Sequence, residues 1–117
     1  MLKESLKLLV ENNKAVLKFE GEVIFDNSNQ LKEEAKQMLS KNEGVNKLVI
    51  DLANVSYLDS SGVGLILSLF KFMRNKKGTL AVAAANEKIK RVFEVTKLQE
   101  IIPVYAGVEE AMEEEPV

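Results

Sequence analysis

The sequence predicts an α/β fold in a single domain over residues 1–117, with a mixed sheet of about five strands packed by about four helices. Three observations carry that expectation. Leu48, Val49 and Ile50 form an unbroken apolar run rich in β-branched residues, which suits a strand covered on both faces. Before it, two apolar runs flank a short polar turn in the pattern of a hairpin. After it, helical and strand-like segments alternate, and strand-helix-strand order implies parallel pairing.

The hairpin is expected from Leu6–Val10 and Ala15–Glu20, with Asn12 and Asn13 favouring tight backbone geometry in the turn and Gly21 marking the exit. Asp26, Asn27 and Ser28 offer caps for a first helix that carries Leu31, Ala35, Met38 and Leu39 on one stripe, and Asn42 to Gly44 stop it. The central strand then runs up to Asp51, with Asn54 and Ser56 supplying loop chemistry. A second helix follows and exits at Lys76-Lys77-Gly78. Leu80–Ala84 reads as another buried strand, whose alanines suggest close approach by a helix. Asn86 caps a third helix with Ile89, Val92, Phe93 and Thr96 on one face. Ile101 to Tyr105 make a short last strand, placed near an edge by Pro103. A terminal helix from Gly107 turns Val108, Ala111 and Met112 inward, and Glu113-Glu114-Glu115 reads as a solvated, frayed end.

Composition removes several classes of function. The chain contains neither His nor Cys, so a Ser-His-Asp triad, a thiolate nucleophile and a His- or Cys-ligated zinc site are all excluded. The acids show no EF-hand spacing, and no metal or cofactor is expected. Gly62 and Gly64 form only a G-x-G fragment without the G-K-[ST] continuation of a P-loop. A net charge of -2 gives no general attraction to nucleic acid or anionic membrane. No apolar segment approaches the roughly 20 residues that cross a bilayer, and the N-terminus lacks a signal-peptide core. A cytoplasmic location is the expectation.

The chemistry concentrates between Lys47 and Leu69. Asp59 and Ser60 are both N-cap candidates for the second helix, because their oxygens can accept its orphan N–H groups. A serine at a helix start also lies at the positive end of the macrodipole, where a phosphate is accommodated. Residue chemistry alone favours a simple cap at Ser60. The second helix is also more apolar than one buried face requires. Val63, Ile66, Leu67, Phe70 and Met73 form one stripe, and Leu65, Leu69 and Phe72 form another. Two readings stay open: both stripes pack inward, or the second is partly exposed to a partner.

With those residues placed, the chain resembles the STAS-domain anti-sigma factor antagonists of bacteria over nearly its whole length. The resemblance rests on LVIDLANVSYLDSSGVGLIL, on TLAVAAANEKIKRVFEVTKLQEIIPVY, and on the Phe19-Glu20-Gly21-Glu22 turn, in the expected order. It implies a STAS-like domain that catalyses nothing itself. The unmodified form would bind an anti-sigma factor that is also a serine kinase and so free the sigma factor. The kinase would phosphorylate the antagonist and release it, and a metal-dependent serine phosphatase would reset the cycle.

The resemblance assigns the phosphorylated serine to Ser60, reversing the preference for a plain cap; partner contacts are expected around it at Asp59, Ser61, Gly62 and Gly64, at Ile24 in the loop before the first helix, and at Leu65 if the second stripe is exposed. Gly62 is expected to leave room for a kinase at the hydroxyl. Where relatives commonly carry an acid that contacts the kinase, this chain has Ile24, with Phe25 beside it and Asp26 in a different register. The alternatives are a STAS module of a stress-signalling scaffold or of a transporter accessory subunit. A receiver-like domain using Asp51 or Asp59 as phosphoacceptor ranks below, since it lacks an early acid pair and a lysine on the last strand. An enzyme built on Asp51, Asp59 and Ser60 ranks lowest, because no group would orient a base.

Overall fold

In the computed structural model, which describes residues 6–114, five strands form one sheet in the order β1-β2-β3-β4-β5. The chain runs β1 (Leu6–Glu11), β2 (Lys14–Val23), α1 (Phe25–Ser40), β3 (Lys47–Leu58), α2 (Ser60–Asn75), β4 (Thr79–Ala83), α3 (Glu87–Thr96), a 3-10 turn (Leu98–Glu100), β5 (Val104–Tyr105) and α4 (Val108–Glu113). β1 and β2 pair antiparallel around the Asn12-Asn13 turn, with Asn12 in the left-handed region at φ 59°. Every later pairing is parallel. The predicted fold class and order of elements are found.

Strand order follows chain order, so crossovers of one hand deliver α1, α2 and α3 to the same face of the sheet. There Leu17, Phe19, Leu48, Ile50 and Val82 pack against Leu39, Ile66, Met73, Ile89 and Phe93. The opposite face is covered over its centre by α4, whose Ala111 packs on Val49, Ala81 and Ala83. The β4 alanines do admit a helix closely. α4 is also tied by its backbone. Lys14 Nζ donates to the Met112 carbonyl at 3.1 Å, and Lys47 Nζ, 7% exposed, donates to the carbonyls of Met112 and Glu114. Glu113 and Glu114 point their side chains to solvent as expected, but the chain there is held rather than frayed; Glu115 lies outside the described residues.

Several boundaries depart from expectation. β3 does not stop at Asp51 but continues to Leu58 through Asn54 and Ser56, because β2 also runs on past Gly21 and pairs with it as far as Val23. Register shifts at Lys18/Glu20 and Gly21/Glu22 let the two strands keep pairing through residues that locally favour turns. α1 begins at Phe25, before the expected caps. Asn27, inside the first turn, reaches back to accept the Ile24 N–H at 2.9 Å, while Ile24 contributes its carbonyl to Ser28 N–H. The last strand shrinks to two residues, since a 3-10 turn draws Ile101 out of the ladder.

α2 is the middle helix of three, lying on the sheet with α1 on one side and α3 on the other. Its buried arc is correspondingly wide. Leu65 and Leu69 are 3% and 0% exposed and Phe72 is half-buried, so the second apolar stripe is packed inward and the reading of an exposed stripe is overturned.

Candidate functional site

The site lies where β2 and β3 end together and α1 and α2 begin. Asp59 N–H donates to the Val23 carbonyl at 3.2 Å, which pins the two strand ends side by side. The Asp59 carboxylate then serves both helices. Its Oδ1 accepts from the N–H groups of Ser61 at 2.8 Å and Gly62 at 3.1 Å, and its Oδ2 accepts from Phe25 N–H at 3.1 Å. Of the two predicted cap candidates, Asp59 takes the role. Ser60 becomes the first residue of α2, exposed and released from capping.

The two serines open on opposite sides of α2. Ser60 lines a groove of about 630 Å³ between the end of β3, the start of α2 and the outer face of α3. Its apolar floor and far wall come from Tyr57, Val92 and Val95, and its charged rim from Asp59, Glu87, Lys88 and Arg91. Ser61 instead lines a groove of about 440 Å³ between α1 and α2, with Phe25, Ser28, Lys32 and Gly64.

The predicted site residues therefore gather around one helix start, with different characters. Gly62 is buried, and its smallness serves packing rather than access. A Cβ there would sit 2.5 Å from Leu58 Cγ and 2.7 Å from the Val23 carbonyl oxygen. Gly64 faces open space. Leu65 only borders the α1–α2 groove from the buried side, so it offers no exposed contact. Ile24 is half-buried at the α1 cap, while Phe25 beside it is turned out at 79% exposure. Asp51 stands mid-strand on the α4 face, accepting Ala53 N–H at 2.9 Å with Lys18 Nζ at 4.0 Å. It is not part of this site. Among the described residues no three acids gather as a receiver's metal site would require.

Sequence reasoning missed the α3 wall. Its signal was present in Val95, an apolar residue outside the Ile89, Val92, Phe93 and Thr96 stripe, and it stands 78% exposed. The spacing of Lys88, Arg91, Val92 and Val95 at i, i+3, i+4 and i+7 places them along one face of the helix.

Known proteins share this architecture. A Thermotoga maritima relative is 37% identical over 73 residues, covering 62% of this chain and 65% of its own length. The anti-sigma F factor antagonist of Paenibacillus polymyxa is 27% identical over 103 residues, covering 86% of this chain and 87% of its own. In fold, the chain is similar to the unphosphorylated form of the anti-sigma factor antagonist SpoIIAA of Bacillus, with a TM-score of 0.76 at 22% identity over 92% of each chain. Among the described residues no helix is long and apolar enough to cross a membrane. The profile of the STAS domain matches residues 6–111, and on that match the chain belongs to the STAS-domain family.

Proposed function

We propose that this chain is an anti-sigma factor antagonist controlled by phosphorylation of Ser60. With Ser60 unmodified, it binds an anti-sigma factor that is also a serine kinase and thereby frees the sigma factor. The kinase transfers the γ-phosphoryl group of ATP to Ser60 Oγ, leaving ADP, and the modified antagonist dissociates. A metal-dependent serine phosphatase returns it to the binding state. On this reading the chain acts in the cytoplasm, catalyses no reaction, and contacts neither DNA nor membrane.

One observation carries the proposal. Asp59 caps α2 with Oδ1 while Ser60, next to it, stays exposed and uncommitted at the helix start. A kinase can reach that hydroxyl without dismantling the fold. Phosphorylation adds about -1.5 to -2 charges beside a carboxylate. A partner surface matched to the neutral serine then meets like charge or loses its fit. The name of the Paenibacillus relative supports the antagonist reading, and the existence of SpoIIAA structures in unphosphorylated and phosphorylated forms supports control by phosphorylation.

The test is phosphorylation by the cognate kinase with ATP, followed by site mapping in a mass spectrometer. Phosphate on Ser60, absent from Ser60→Ala, is the expected result. Phosphate mainly on Ser61, or undiminished in Ser60→Ala, overturns the assignment.

A further inference from the structure

We propose that Lys88 and Arg91 of α3 are the receptor for the Ser60 phosphate, so that modification closes the groove between α2 and α3 as well as charging it. The proposal rests on Ser60 being the modified residue. It adds a binding site for the phosphate within this chain.

Four observations converge on it. Ser60, Lys88 and Arg91 line the same groove of about 630 Å³, with Ser60 at the start of α2 and the two cations on the facing helix. Lys88 and Arg91 lie on one face of α3 together with Val92 and Val95. Among the described residues neither cation has a carboxylate within 4.0 Å, whereas Glu87 of the same rim pairs with Lys90 at 3.3 Å. Lys88 also stands in the first turn of α3, where the helix macrodipole disfavours positive charge unless an anion answers it.

The remaining charges around the groove are consistent with this role. Asp59 repels a phosphate, but its two oxygens already accept three backbone N–H groups. Glu87 is answered by Lys90, and Tyr57 is the other titratable group in the lining. The unanswered charge facing Ser60 is therefore positive. A phosphoserine brings three acceptor oxygens on a longer arm than the hydroxyl, and a guanidinium can hold two of them in parallel. A phosphate drawn to Lys88 and Arg91 lies across the apolar floor made by Tyr57 and Val92. The unmodified groove stays open to an apolar group of a partner.

The decisive experiment places phosphoserine at position 60 by genetic encoding, so that no kinase is needed and the result is independent of which kinase or partner exists. The second pKa of the phosphate is then read by phosphorus NMR titration in the parent chain, in Lys88→Ala/Arg91→Ala, and in Lys71→Ala, which removes an exposed cation farther along α2. Cations that bind the dianion hold its pKa down, so the double variant is expected to raise it by roughly 0.5 pH unit, with Lys71→Ala near the parent value. In the parent chain the Arg91 Nε–H resonance is expected to move when Ser60 is phosphorylated. An unchanged pKa in the double variant, or an equal rise in Lys71→Ala, overturns the proposal. Either result would leave the assignment of Ser60 as phosphoacceptor intact, and mapping on Ser61 would overturn that assignment separately.

Discussion

The carboxylate of Asp59 accepts the backbone N–H of Phe25 at 3.1 Å, so the residue that caps α2 also holds the first residue of α1. Two helices that start 35 residues apart in the chain are thereby joined at one side chain. Anything that moves this carboxylate bears on both helix starts.

Asp59→Ala should therefore cost more than an ordinary cap. We expect a loss of about 2 kcal/mol, the upper range for one N-cap, and a fall in Tm of roughly 8 °C. Asp59→Asn keeps one acceptor oxygen and should fall between parent and alanine. Urea melts of the three proteins check this ordering. An Asn variant as unstable as the Ala variant would show that charge, rather than two acceptor oxygens, holds the junction.

The two glycines of α2 should respond in opposite directions. Gly62→Ala drives a methyl against Leu58 Cγ and the Val23 carbonyl, and overpacking of this kind costs about 1–3 kcal/mol. Gly64→Ala meets open space in a helix, where alanine is favoured by about 1 kcal/mol. Thermal denaturation of both variants should show Gly62→Ala lower than the parent and Gly64→Ala equal or higher.

Leu65→Lys and Leu69→Lys probe the packed stripe. Each places an ammonium group in a core position without a partner, and a loss of about 4 kcal/mol or more is expected. Circular dichroism should find both variants largely unfolded or with sharply reduced melting temperatures. Parent-like melts would return the stripe to the surface.

Ser60→Asp should leave the fold intact, because a carboxylate at the first position of a helix is electrostatically favourable. Its effect belongs to binding. On the proposed function, calorimetric titration against an anti-sigma factor should show weaker association than the parent, with an unchanged Tm. The carboxylate is shorter and less charged than a phosphate, so phosphoserine at the same position should weaken binding further. Equal affinity of parent and Ser60→Asp would show that charge at this position is not the switch.

What the sequence by itself determined was the set of elements and which residues stand at the start of α2, where the proposed site lies. Apolar periodicity, the Asn12-Asn13 turn and the Asn86 cap are local signals, and local backbone preferences are strong enough to mark where helices and strands exist. The same locality made Asp51, Asn54 and Ser56 read as the end of a strand, although pairing with β2 carries β3 through them to Leu58. Asp59 and Ser60 could not be ranked as caps from composition, since both offer an oxygen. The Phe25 N–H and the Val23 carbonyl, brought from another part of the chain, decided for Asp59. Burial of Leu65 and Leu69 likewise depended on α1 lying beside α2, and the groove over Ser60 on α3 arriving from 27 residues downstream of it. Those are consequences of topology. Parallel crossovers of one hand bring three helices to one face, and only then does a side chain acquire neighbours its own segment does not encode.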